Sequence, residues 1–402
     1  MQEQEAAPIG QLQAVGQSVW IDDLTRDMLE EGELQRLVDL GITGVTANPT
    51  TFDKAVNGSH RYDQDIGSLD GRLTPRQIVW ELLVRDVRAA ADVLRPVYDR
   101  TDGTDGFVSI EVSPELAYDT HGTIESARDL WARVDRPNIF VKVPATEPGL
   151  QAIETLTAEG INVNVTLTFS LHRYRQVVDA YFNGLESRHA AGQPIDGVTS
   201  VASFFVSRVD AKVDPLLRAR EAQGGADAEV ARSLRGTIAI ANAKHAYQEF
   251  RMLHGTTRWE HLRRKGAQPQ RCLWASTSVK DPSYPATMYV EALAGPDTVD
   301  TVPPGLVPEL AAADLSEPRL MQDAEAALAD LEALARLGID LDQITLELET
   351  EGVQAFSKSY HHLVGALSER VATVAEAAID RDSEDSFPAS DAPAWPGRVG
   401  GP

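Results

Sequence analysis

A lysine stands inside a run of residues that otherwise reads as a buried strand. The segment IFVKVP (139–144) sets Lys142 among Phe140, Val141 and Val143. Desolvation lowers the pKa of an ammonium, and a neutral amine can attack a carbonyl to form a Schiff base. An edge-strand lysine facing water, or one ion-paired in the interior, fits the same pattern. Carboxylates close neighbouring apolar runs: Asp22 and Asp23 end VWIDD (19–23), and Glu111 nearly ends FVSIEV (107–112). Imine formation, dehydration and C–C cleavage all need such an acid or base beside the amine. Asp23 is equally suited to starting the turn into a helix near Thr25, as an N-cap. Arg208, in SFFVSRVD, follows a further apolar run. A guanidinium there suits bidentate phosphate binding, and an ion pair with Asp210 or Asp214 is the competing reading. Lys280, after CLWAST, has the same two readings. His361 and His362 are adjacent on a helical segment and point apart. No HExxH or comparable ligand spacing occurs, so no metal site is expected.

These residues need a scaffold, and the chain repeats one theme. Short β-rich runs alternate with longer helical patterns. The runs are 19–23, 44–50, 107–112, 139–144, 161–168, 198–205, 272–277 and, more weakly, 298–302. Amphipathic stretches at 26–40, 75–94, 126–134, 147–159, 173–184 and 227–254 separate them. That alternation predicts a parallel sheet with helical crossovers. Eight runs predict a closed (β/α)8 barrel, a fold of ~250 residues or more. A doubly wound open sheet is the alternative, but no GxGxxG follows a strand and no P-loop occurs. INVNVTLT (161–168) alternates strictly, with Val163, Val165 and Leu167 against Asn162, Asn164, Thr166 and Thr168. With Ser109 and Glu111 on one strand and Lys142 on another, three strands put polar groups where a purely structural barrel would carry aliphatics. Burying them costs a few kcal/mol each unless they are paired.

Helical pattern resumes at 318–337 and 354–378, and the second stretch suits packing across a barrel end. From Asp380 the sequence is polar and rich in Ser, Asp, Pro and Gly. One barrel domain over 1–379 and a disordered tail over 380–402 are expected. The 402 residues carry 37 Lys and Arg against 61 Asp and Glu, a net charge of −24. Such a surface repels phosphate backbones and anionic lipid, so neither nucleic-acid nor membrane partners are expected. An anionic substrate must be gathered by local Lys or Arg. The single cysteine, Cys272, rules out an intrachain disulfide and fits a reducing compartment. The start MQEQEAAPIG has no signal-peptide pattern, and no apolar run reaches the ~20 residues of a membrane span. A cytoplasmic protein is expected.

Five ordered blocks resemble the transaldolase family: GVTANPTTF (44–52), VSIEVSPELAYDT (108–120), NIFVKVPATEPGLQAI (138–153), NVNVTLTFS (162–170) and ASFFVSRVD (202–210). The resemblance runs from about Val19 to about Ala292 and is weaker beyond. It implies a circularly permuted (β/α)8 barrel that moves a dihydroxyacetone unit between sugar phosphates without metal or organic cofactor. Donors would be sedoheptulose 7-phosphate or fructose 6-phosphate, and acceptors glyceraldehyde 3-phosphate or erythrose 4-phosphate, as in the pentose phosphate pathway. On this resemblance Lys142 is the Schiff-base nucleophile and Asp22 takes the proton of the hydroxyl whose C–C bond breaks. Glu111 and Thr166 hold a catalytic water, and Asn48 and Asn164 hold substrate hydroxyls or the three-carbon unit. Ser203 and Arg208 bind phosphate. Where many relatives carry another arginine after the seventh strand, this chain reads ASTSVKDP, leaving Ser278 or Lys280 for the third phosphate contact. The assembly is expected to be a monomer or homodimer. A Schiff-base aldolase releasing free dihydroxyacetone and a non-catalytic sugar-phosphate-binding barrel are the alternatives.

Overall fold

The computed structural model describes residues 8–385, apart from residues 70 and 311. The eight β-rich runs form eight strands: β1 (Gln17–Ile21), β2 (Gly44–Thr46), β3 (Phe107–Glu111), β4 (Ile139–Pro144), β5 (Val163–Thr168), β6 (Ser200–Phe205), β7 (Arg271–Ala275) and β8 (Thr298–Val302). Every neighbouring pair is parallel, β8 pairs with β1, and spatial order equals sequence order. The sheet therefore closes into a (β/α)8 barrel and has no open edge.

Closure decides where the polar strand faces lie. Ser109, Asn164 and Thr166 are fully buried, so that face is the barrel interior and not a solvated surface. Beneath it the interior is plugged by aromatic rings. Phe107 lies 4.3 Å from Phe140 and 6.4 Å from Trp20, centroid to centroid, and the Trp20 indole donates to Asp105 Oδ1 at 2.8 Å. Side chains two residues apart share a strand face. Trp20 and Phe140 thus sit one layer below Asp22 and Lys142, and the rings form the floor on which the polar layer stands.

Two expected helices are split, each at a glycine with left-handed backbone. The 26–40 stretch is the helices Arg26–Glu30 and Glu33–Asp39, parted at Gly32 (φ 72°). The 227–254 stretch is Asp227–Ser233 and Ile238–Leu253, with Gly236 (φ 72°) between them. Thr25, not Asp23, caps the first of these, accepting from Met28 N–H. The strict alternation expected of 161–168 also fails at one place. Leu167 takes φ 60° at a register shift between β5 and β6. Such an irregularity re-aims a side chain, and the Leu167 methyls face Gly352 of the C-terminal helix instead of packing outward with Val163 and Val165.

That helix, Leu341–Asp385, outruns the expected 354–378 at both ends. It continues six residues into the segment expected to be a disordered tail; 386–402 lie outside the described residues. Side-chain contacts fasten it over the barrel mouth: ion pairs of Glu349 with Arg173 and Arg370 with Asp63, and hydrogen bonds of His361 with Glu115 and His362 with Asp53. Among the described residues no helix is long and apolar enough to cross a membrane.

Candidate active site

Strand register assembles the centre of the site. Glu111 on β3 pairs directly with Lys142 on β4, which pairs with Asn164 on β5, so the three form one row across the interior. Lys142 is 6% exposed and Glu111 3%. Nζ and Oε2 are 3.0 Å apart, and Nζ also lies 3.5 Å from the Ala47 carbonyl. The lysine is thus interior and paired, and the edge-strand reading falls. Complete burial raises the Glu111 carboxyl above its ordinary range, with the Lys142 charge opposing the shift. Thr166 Oγ1 is buried without a protein hydrogen-bond partner among the described residues, while Glu111 Oε2 faces Lys142 Nζ.

A cavity of about 190 Å³ opens above this row, lined by Asp22, Asn48, Lys142, Thr166, Ser203, Arg208 and Lys280 among others. Eight of the ten residues given a site role in the sequence, Ser278 included, therefore line one cavity. The other two lie behind it. Glu111 is reached through Lys142. Asn164 is fully buried, its side-chain amide donating to Ser109 Oγ at 3.0 Å and accepting from Ser203 Oγ at 2.7 Å. It holds the Ser203 hydroxyl in place and does not itself line the cavity.

Asp22 begins where β1 ends. Burial, and secondarily the neighbouring Asp23 charge, push its carboxyl up to about 6, against the pull of Lys280 and Lys142. Asn48 explains the Asn-Pro motif locally. Its side chain caps the helix Pro49–Gly58, accepting from Thr50 and Thr51 N–H at 2.9 and 3.0 Å, while Pro49 takes the first helical position. Capping uses Oδ1 and leaves Nδ2 without a protein partner among the described residues.

The far wall is cationic. Neither Asp210 nor Asp214 pairs with Arg208. Asp210 accepts from Tyr289 Oη and Ala239 N–H, and Asp214 from Tyr284 Oη and Gly236 N–H. Arg208 has no ion pair among the described residues, and burial lowers its pKa. Lys280 lies nearby, its pKa lowered by burial first and by Arg208 second, and it donates to Ser278 Oγ at 2.8 Å. An unpaired guanidinium beside an ammonium in a pocket is an anion site with its counter-charge withheld. Among the described residues no three His, Cys, Asp or Glu side chains are grouped to hold a metal ion.

The sequence reading missed several lining residues. Thr46, Leu273, Ala275 and Thr301 face inward on β2, β7 and β8, where strand parity could have found them. Ser276 lines the cavity with φ 57°, a conformation no residue type announces. Phe356 reaches the cavity from the C-terminal helix, and only the tertiary packing reveals it.

Comparison with known proteins agrees with this geometry. The family model described as transaldolase/fructose-6-phosphate aldolase matches residues 19–367. A protein named transaldolase from Acidothermus cellulolyticus is 48% identical over 364 residues, covering 90% of this chain and 96% of its own. One of the same name from Parafrankia is 44% identical over 379 residues, covering 92% and 99%. A transaldolase 2 from Nostoc punctiforme is 43% identical, covering 90% and 97%. The match extends well past Ala292, through the C-terminal helix as far as residue 367, and the chain belongs to the transaldolase/fructose-6-phosphate aldolase family.

Proposed function

We propose that the enzyme transfers a dihydroxyacetone unit from a ketose phosphate, sedoheptulose 7-phosphate or fructose 6-phosphate, to an aldose phosphate through a Schiff base on Lys142. The observation that carries this reading is a buried lysine 3.0 Å from a buried carboxyl, in a cavity shared with Asp22 and an unpaired arginine. The steps follow from the groups. The Lys142 amine attacks C2 of the ketose, and the carbinolamine loses water to give an iminium. Glu111, whose burial favours its protonated form, supplies the proton that makes hydroxide leave as water, with Thr166 Oγ1 able to hold that water. The Asp22 carboxylate then takes the C4 hydroxyl proton, the C3–C4 bond breaks, and its electrons pass to the iminium nitrogen. An aldose phosphate departs and a three-carbon enamine stays attached. An incoming aldehyde is attacked by the enamine carbon, protonated Asp22 returns its proton to the new alkoxide, and hydrolysis frees Lys142.

Arg208, Lys280, Ser203 and Ser278 suit the phosphate end, and Asn48 Nδ2 suits a hydroxyl of the sugar. The C-terminal helix limits access of water to the attached enamine. A cytoplasmic site of action fits the lone buried thiol.

The test is borohydride reduction in the presence of fructose 6-phosphate, followed by peptide mapping. A reduced adduct on Lys142 is expected, and protein unmodified or labelled only elsewhere rejects the reading. Assaying products with and without acceptor aldose separates transfer from release, because free dihydroxyacetone formed without acceptor marks an aldolase.

A further inference from the structure

A phosphate-binding arginine must keep its charge unneutralised yet hold a direction, and the usual device, a carboxylate partner, would defeat the purpose. Arg208 resolves this with rings. Its guanidinium carbon lies 5.4 Å from the Phe205 ring centroid and 5.9 Å from that of Phe356, both within the range of cation–π attraction. Phe205 comes from the same strand end. Phe356 comes from the opposite end of the chain, on the helix fastened across the barrel mouth, where it is buried.

Two further features let that helix approach. Gly352, one turn before Phe356, passes so close that a Cβ there would lie 3.7 Å from Arg208 Nη1 and 2.8 Å from Leu167 Cδ2. Glu351, the acid on this helix whose charge acts on Arg208, is engaged by Lys212 at 2.5 Å, as is Glu347 at 2.8 Å. The helix brings an aromatic face to the guanidinium and ties its acids to a different cation.

We propose that Phe356 is a positioning residue that aims Arg208 at the phosphate of the substrate, so that the C-terminal helix sets the preference for phosphorylated sugars. This rests on the reading of Arg208 as a phosphate ligand. The test compares fructose 6-phosphate with fructose as donor, and measures competitive inhibition by inorganic phosphate, for Phe356→Leu, Phe356→Trp and Arg208→Gln. Phe356→Leu is expected to lower the preference for fructose 6-phosphate roughly three- to thirtyfold, the range of one cation–π contact. It should do so through KM more than kcat, and weaken phosphate inhibition in parallel. Phe356→Trp, which keeps a ring, should restore most of the preference. An equal loss on both donors makes Phe356 a packing residue and overturns the proposal. An unchanged preference in Phe356→Leu while Arg208→Gln loses it also overturns the proposal but leaves the reading of Arg208 standing. An unchanged preference in Arg208→Gln removes that reading and the proposal with it.

Discussion

Lys142 Nζ and Glu111 Oε2 face each other at 3.0 Å from directly paired positions on β4 and β3, with the same row continuing to Asn164 on β5. The barrel's own hydrogen-bond register thus fixes the separation of acid and amine, and neither side chain relies on a loop for its placement. Burial favours the protonated form of the Glu111 carboxyl, so Glu111 can supply a proton beside the amine while the imine forms. Glu111→Gln keeps the shape and removes the proton donor. Imine formation, followed as the rate of borohydride-trapped adduct, should slow on the order of 10²–10⁴-fold. An undiminished trapping rate would show that Glu111 serves only to balance charge.

The second carboxylate acts at a later step, and its ionisation sets a pH dependence. Asp22 is raised to about 6, chiefly by burial. As a base it works ionised, so kcat/KM, which reports the free enzyme, should rise with pH through about 6 and level off above, falling about tenfold per unit on the acid side. Lys280 pulls this pKa down, and Lys280→Met should therefore move the acid limb to higher pH. The ionisation of the free substrate phosphate, which also bears on kcat/KM but is unchanged by the variant, predicts no movement, and a static limb would assign the titration elsewhere. Asp22→Asn should still trap an adduct on Lys142 while losing cleavage.

Below the chemistry, Gly44 on β2 makes room for the Trp20 ring. A Cβ at position 44 would fall 2.5 Å from Trp20 ring carbons. The indole has nowhere to retreat, being packed on Phe107 and Phe140 and bonded to Asp105. Gly44→Ala should destabilise the fold by about 1–3 kcal/mol, the usual cost of an overpacked core, seen as a lowered Tm. Trp20→Leu in that background should recover part of the loss, since the two residues contend for one space. An unaltered Tm in Gly44→Ala would show that the floor of the barrel is looser than its ring contacts indicate.

Most of the barrel was legible in the sequence because each strand is a compact apolar run bounded by turn residues. Lys142 stood out for the same reason, as a charge inside such a run. Residues whose role depends on the partner strand were harder to see. Asn164 reads as a substrate ligand, and only the register shows that it also stands between Ser109 and Ser203, bonded to both hydroxyls. Leu167 sits at an alternating position, but a register shift turns it toward the C-terminal helix. Phe356 reads as an ordinary core position of an amphipathic helix, and nothing local says that the cavity lies beneath it. Helix ends were least secure wherever a glycine could adopt left-handed backbone, as Gly32 and Gly236 do.

Thr166 permits a clean separation of folding from catalysis. Its Oγ1 is buried, lines the cavity wall beside Lys142 and makes no protein hydrogen bond among the described residues. Removing a hydroxyl that has partners leaves them unsatisfied and costs about 1–3 kcal/mol, whereas removing one that has none forfeits nothing of the kind. Thr166→Val, nearly the same in volume, should leave Tm unchanged or slightly raised. If the hydroxyl holds the water that enters and leaves during imine exchange, the same variant should slow both adduct formation and hydrolysis of the enamine complex, with Thr166→Ser close to the parent. A valine variant as active as the parent would remove Thr166 from the mechanism. A valine variant with a sharply lowered Tm would instead show that Oγ1 has a structural partner in solution.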